Sequence, residues 1–310
     1  MKTIRELEDY YSTVLWSELK ILEQQRKQVL KKIYIVVAII TPLAIILALL
    51  AHVVHFIFFG IVGCIVATQI ISSAYRKNFK SSIIEKIIKA VDGNLQYSPT
   101  KYISLDDFTE SKIFNLRPNR YKGDDYIQGT IDKTQVRFSE LHAAHESGSG
   151  KNRNRTPIFN GLFFIADFNK SFKGITVVLP DIAERLFGGI GKMLQSWNKM
   201  RGEPIRLEDP EFEKFFAVYG SDQIEARYIL STSLMKRIAD FRKKTKKAIY
   251  ISFVKSKIFV AIPYARRLFE PRIFKTLLDF APIKQYYEDL GMAVSIAEDL
   301  NLNTRIWTKA

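Results

Sequence analysis

Hydrophobic positions along this chain fall into three regimes. From Ile33 to Tyr75 there is no Lys, Arg, Asp or Glu. The stretch divides into one apolar run from Ile33 to Leu50 and a second from His55 to Tyr75. Each approaches the roughly 20 residues a helix needs to cross about 30 Å of hydrocarbon. Lipid offers backbone groups no water, so both runs are expected to be helical throughout, with Pro42 kinking the first. Only Ala51 to His55 separates them, which predicts a tight antiparallel hairpin. A single buried helix of a soluble core would not need so long an uncharged stretch.

Before the hairpin, Ile4, Leu7, Tyr11, Val14 and Ile21 keep a helical spacing that Leu15 and Leu22 widen. An amphipathic helix is expected over residues 1–32, running into the first span. Residues 76–120 read as a helix through Ile83, Ile84, Ile87 and Ile88 followed by a linker with strand potential near Leu95 to Pro99. Past residue 120 the period changes to two. Tyr126–Ile131 and Thr134–His142 read as strands around Asp132–Lys133. Phe159–Phe168 and Gly174–Pro180 read as the next pair, and Ala248–Val254 with Lys257–Pro263 as a third, turning at Lys255–Ser256. Helices are expected from Asp181 (loosened by Gly188, Gly189 and Gly191), from Ser231 to Lys244, and from Pro271 to Leu300 with a break near Pro282. The fold class is α+β: an N-terminal helix (1–32), a transmembrane hairpin (33–75), a helix and linker (76–120), and a cytoplasmic domain (121–310) of antiparallel sheet with packed helices.

Charge sets the orientation. Arg26, Lys27, Lys31 and Lys32 precede the first span and Arg76, Lys77 and Lys80 follow the second, whereas the connecting loop has no Lys or Arg. The positive-inside rule puts both termini in the cytoplasm. The net charge of +15 suits an anionic surface, membrane or nucleic acid, and equally a merely solvated one. No recognised nucleic-acid module is present, so lipid is the favoured surface. The cations expected to contact lipid or a partner are Arg153 and Arg155, in an exposed loop, and Arg242, Lys243, Lys244, Lys246 and Lys247, where positive charge also complements a helix C-terminus. Gly60 with Cys64 and Gly63 with Ala67 form small-xxx-small pairs, letting the hairpin pack on itself or on a second subunit.

Catalytic chemistry is thinly represented. Gly148-Ser149-Gly150-Lys151 lacks the upstream glycine and the following Ser or Thr of a phosphate-binding loop. His52 and His55 fall in the loop between spans, where interfacial polar groups are ordinary. Glu140, His142, His145 and Glu146 invite a metal, but on a strand His142 and His145 point to opposite faces; neither a metal nor a cofactor is expected. Cys64 is the single cysteine, which excludes an intrachain disulfide and a cysteine-rich zinc site. Glu208, Asp209, Asp222 and Glu225 are candidate acids for an enzyme at the membrane, but carboxylates beside a helix start also serve as caps.

Several segments resemble a known family. Phe138-Ser139-Glu140-Leu141-His142, the run Gly161-Leu162-Phe163-Phe164-Ile165-Ala166-Asp167-Phe168, Leu207 to Glu213, Tyr219 to Tyr228 and Glu298 to Trp307 are similar, in order, to the bacterial domain-of-unknown-function family numbered 3137. The resemblance implies a bacterial membrane-anchored protein and brings no activity with it; with both termini cytoplasmic, the inner membrane is the expected location. The reading from sequence is a membrane-anchored scaffold or adaptor whose basic domain binds a protein partner or the anionic membrane surface, with homo-oligomers open through the hairpin.

Overall fold

A computed structural model describes residues 2–168, 171–181 and 202–302. The chain divides into two units, residues 1–91 with 269–288, and residues 92–268 with those from 289 on. It is α+β, with long helices at the start and an antiparallel nine-stranded sheet after them.

The first unit begins with α1 (Ile4–Tyr10), where Thr3 and Glu6 form a reciprocal capping box. A wider π-type turn, Tyr11–Leu15, leads into α2 (Trp16–Ala51), which continues through Pro42 without a break. His52, at φ 52°, ends α2 in the left-handed conformation, and α3 (His55–Phe79) returns antiparallel to it. A second π-type turn, Lys80–Ile84, joins α3 to α4 (Glu85–Val91). Of the expected apolar stripe of the first 32 residues, Leu7, Leu15 and Leu22 are inside and Leu19 joins them, while Ile4, Val14 and Ile21 are exposed. The wide turn resets the phase, so that residues four apart stay on one face where a regular helix would drift.

The second unit is built on the sheet. Its strands are β1 (Gln96–Ser98), β2 (Arg120–Ile131), β3 (Thr134–Ser147), β4 (Asn154–Asp167), β5 (Ile175–Pro180), β6 (Glu203–Ile205), β7 (Phe216–Gly220), β8 (Tyr250–Val254) and β9 (Lys257–Pro263). Their spatial order is β1-β2-β3-β4-β9-β8-β5-β7-β6, and every pairing is antiparallel. The hairpins expected at Asp132–Lys133 and Lys255–Ser256 are both present, with Asp132 and Lys255 at positive φ. The expected pairing of β4 with β5 does not form. The β8–β9 hairpin stands between them, and the connection after β4 crosses its turn, with the Phe168 N–H donating to the Ser256 carbonyl at 2.9 Å. Among the described residues, three short helices follow α4: α5 (Leu105–Glu110), α6 (Pro210–Glu213) and α7 (Gln223–Ile229). The helix expected after Ser231 is α8 (Thr232–Thr245). The helix expected from Asp181 lies outside the described residues beyond Asp181 itself.

One aromatic core cluster packs Phe108, Phe159, Phe163 and Phe259 on one another. The final helix, α9 (Phe280–Asp299), starts later than expected. Asp279 accepts the Ala281 N–H at 3.0 Å, and Pro282 sits in the first turn, where its missing N–H costs nothing. Pro282 therefore starts a helix and does not break one.

Candidate functional site

Three places gather the notable side chains of the described residues: the hairpin, the base beneath it, and a bulged region of the sheet.

α2 and α3 are long and apolar enough to cross a membrane, and their apolar windows are only 11% and 6% buried. A helix from a soluble core would be mostly covered. Here Leu49, Leu50, Phe58, Phe59 and Ile70 each expose more than half their surface. Along α3, Gly60, Gly63, Cys64 and Ala67 share the half-buried face, whereas Ile61, Val62, Ile65 and Val66 are exposed. The small residues face α2: a Cβ built on Gly60 would lie 2.6 Å from the Ala44 Cβ. Two hydroxyls in α3 are satisfied within the helix. Thr68 Oγ1 donates to the Cys64 carbonyl and Ser72 Oγ to the Thr68 carbonyl, both at 2.7 Å.

Below the hairpin, the segment after Phe269 is fastened to the helices by buried charge. Glu23 and Arg26 form a bidentate pair (2.6 and 2.8 Å) with side chains less than a tenth exposed. Glu23 also accepts the Leu277 N–H at 3.0 Å, and Arg26 donates to the Ile273 carbonyl at 2.9 Å. The hydrogen-bonded guanidinium holds the Glu23 carboxyl below its ordinary range, outweighing burial, which acts the other way. On α3 and the turn after it, Arg76 (3.2 Å) and Lys80 (3.1 Å) converge on Glu270. Residues 271–279 were expected to be helical. Two of their backbone groups, the Ile273 carbonyl and the Leu277 N–H, bond to these helix side chains instead, and the path there is irregular.

In the sheet, β2 carries a bulge between Asp124 and Ile127. Asp125 occupies the left-handed region at φ 58°, its N–H donating to the Pro99 carbonyl at 3.2 Å. Asp124 stays in register opposite Glu140 of β3. Glu140 is fully buried; its Oε2 accepts the Leu268 N–H at 2.8 Å, and its Oε1 lies 3.1 Å from Nε2 of His142. Asp124, Glu140 and His142 thus bring one ligand-type atom each within 4.8 Å of one another. Two carboxylates and an imidazole are a donor set that manganese, iron or zinc accepts. Both Glu140 oxygens are already engaged, so as it stands the cluster ties the chain at Leu268 to β3. His145 is held apart, with Nδ1 3.0 Å from the Arg117 carbonyl. The sequence reading considered His142 with its neighbours along the strand and missed Asp124, because that approach depends on the pairing register.

The expected cations are dispersed. Arg153 and Arg155 are exposed, Arg155 lying opposite Glu146, which Arg120 holds at 2.8 Å. Arg242 stacks near Phe215 (6.0 Å) and Lys247 over Tyr264 (4.0 Å). Lys243 bridges Glu211 and Asp240, and Lys244 pairs with Asp299 at 2.7 Å. Lys246 forms the left-handed cap of α8 and is exposed. The four candidate acids do not share one cleft role. Asp209 accepts the N–H groups of Glu211 and Phe212, Asp222 those of Ile224 and Glu225, and Glu225 those of Lys173 and Gly174. Glu208 is exposed. Three of the four are therefore fastening local backbone.

Residues 157–302 match the family described as "Protein of unknown function (DUF3137)". It is the family the sequence resembles. The match opens inside β4, so the hairpin, Asp124, Glu140 and His142 lie outside the matched stretch. No curated protein matches the chain. Among solved structures, the crystal structure of the mycobacterial trehalose monomycolate transport factor A, TtfA, is similar at 8% identity and a TM-score of 0.33, over 70% of this chain and 95% of that one. A likeness of that size carries no argument about fold or function.

Proposed function

We propose that this chain is a membrane-anchored scaffold or adaptor. In this reading the α2–α3 hairpin crosses the bacterial inner membrane with both termini cytoplasmic, and the basic sheet unit holds a protein partner at the anionic membrane surface. The observation that supports it best is the row of large apolar side chains left uncovered along both helices. Exposed apolar area on this scale is unfavourable in water, about 25 cal/mol for each Å², and is neutral or favourable in lipid. The flanking cations Lys27, Lys31, Lys32 and Lys77 agree with the orientation. The alternative, acid–base catalysis by Glu208, Asp209, Asp222 and Glu225, has less support, because three of these carboxylates already accept backbone N–H groups.

The test is in-cell photocrosslinking from the sheet unit, read by mass spectrometry, beside alkaline carbonate extraction of the same membranes. The reading expects the intact protein to stay in the pellet and a defined protein to crosslink. Release by carbonate would remove the anchor. Retention without any protein crosslinked above the unirradiated control would remove the scaffold.

A further inference from the structure

Within the first unit, Phe274 is 66% exposed although its neighbours Ile273 and Leu277 are buried. It stands in a turn closed by the Lys275 N–H donating to the Arg272 carbonyl at 3.1 Å, so that exposed Arg272 and Lys275 flank it. The turn is not free to drift. Arg26 grips the Ile273 carbonyl and Glu23 the Leu277 N–H, while Glu270 is held by Arg76 and Lys80.

These attachments fix the height of the turn along the helices. Arg76 directly follows Tyr75, the last residue of the second uncharged run. Arg26 precedes Ile33 by seven residues, about 10 Å of helix at 1.5 Å per residue. The polar layer flanking the hydrocarbon is itself roughly 5–8 Å deep on each side. A large exposed aromatic between two cations, clamped within about 10 Å of the apolar runs and so at the margin of that layer, has the composition of an interfacial anchor: the ring enters the headgroup boundary and the cations meet lipid phosphates. Tyr34, 61% exposed at the start of the first apolar run, and exposed Lys27 and Lys31 continue the same chemistry on α2.

We propose that the Arg272–Lys275 turn is a third membrane contact of this protein, inserting Phe274 into the headgroup layer of an anionic bilayer beside the hairpin. The proposal rests on the membrane reading above. It adds a contact that no apolar run in the sequence announces, since Ile273 and Phe274 are flanked by charge on both sides. An anchor here fixes how far residues 269–288 stand from the bilayer, which a bare hairpin does not.

The test places a nitroxide label on the full-length protein in vesicles of mixed phosphatidylglycerol and phosphatidylcholine. In a Cys64→Ser background, labels are placed one at a time by Phe274→Cys, Ile39→Cys in the first span, and Lys122→Cys on the exposed part of β2. Collisions with oxygen and with a water-soluble nickel chelate report depth. The proposal expects the label at 274 to give an oxygen-to-nickel ratio several-fold above that at 122 and below that at 39. The same label should become more water-accessible when Arg272→Ser and Lys275→Ser are added. A label at 274 that matches 122, while 39 reads as lipid, overturns the anchor and leaves the hairpin in place. A label at 39 that reads as water overturns both. Depth at 274 unchanged by the two serine substitutions overturns the role of the cations.

Discussion

Gly60 approaches Ala44 so closely that one added carbon would sit 2.6 Å from the alanine methyl. Gly63, one turn further on, has nothing nearer than 3.9 Å. The two glycines look equivalent in sequence and both face α2, yet only Gly60 leaves no room for a Cβ. Gly60→Leu should therefore force α2 and α3 apart and cost about 1–3 kcal/mol, the usual penalty for overpacking. Gly63→Ala should be nearly neutral. Thermal unfolding of the full-length protein in detergent, read by circular dichroism, checks the pair. Equal losses at both positions would mean that the contact is elsewhere.

Glu23 should be among the most sensitive positions in the first unit. Glu23→Ala leaves Arg26 without its carboxylate and the Leu277 N–H without an acceptor, a loss of about 3–5 kcal/mol for a broken buried pair. The pH dependence follows from the lowered carboxyl: the folded state binds this proton less readily than the unfolded chain does. Its stabilising contribution is complete above the ordinary carboxylate value of 4.5 and fades as the pH falls below it toward the folded value. Unfolding of the wild type between neutral pH and pH about 3 should show this loss, and Glu23→Gln should flatten that part of the curve. Parallel curves for the two proteins would contradict the assignment.

Glu140→Ala should destabilise the sheet unit by about 1–3 kcal/mol, because the Leu268 N–H then has no acceptor in a buried position. Glu140→Gln retains an oxygen for that N–H and should cost less. Hydrogen exchange at the Leu268 amide is the direct readout. Protection there that survives Glu140→Ala would show that another group satisfies the amide.

The seven cations expected to touch lipid should not be equal. Lys243 and Lys244 already bond Glu211, Asp240 and Asp299. Arg153, Arg155 and Lys246 stand exposed. Neutralising the second set in reconstituted full-length protein should reduce energy transfer from a sheet-unit donor to a dye in phosphatidylglycerol vesicles, at about 1 kcal/mol per cation, or roughly fivefold each. Neutralising Lys243 and Lys244 should do less, and should change stability by under about 1 kcal/mol as exposed pairs do. The opposite ranking would assign the lipid-facing side to α8.

How much of this was legible in the residues depends on range. The hairpin was, because 43 consecutive uncharged residues are a property of composition alone. So were the β2–β3 and β8–β9 hairpins, whose two-residue turns join strands of matched alternation. The partner of β4 was not, since the strand that pairs with Phe163 begins at Lys257 and nothing local distinguishes it from β5. In the first helices Leu7, Leu15 and Leu22 were legible, but Val14 and Ile21 were not, since the wide turn at Tyr11–Leu15 interrupts the regular spacing. The cluster of Asp124 with Glu140 and His142 needed a cross-strand register as well as a bulge. The path of residues 271–279 needed Glu23 and Arg26, some 250 positions earlier. Apart from the wide turn, each miss is a long-range contact overriding a local pattern.

The strand order has a consequence for synthesis. β4 meets β3 early, but its other edge is filled only by β9, which emerges roughly ninety residues later. At 5–20 residues per second, that edge stands open on the ribosome for about 5–20 s. Its second half is the apolar run Gly161-Leu162-Phe163-Phe164-Ile165-Ala166. An unpaired apolar edge is a template for wrong partners, so shelter of this edge during synthesis should decide how much protein is recovered.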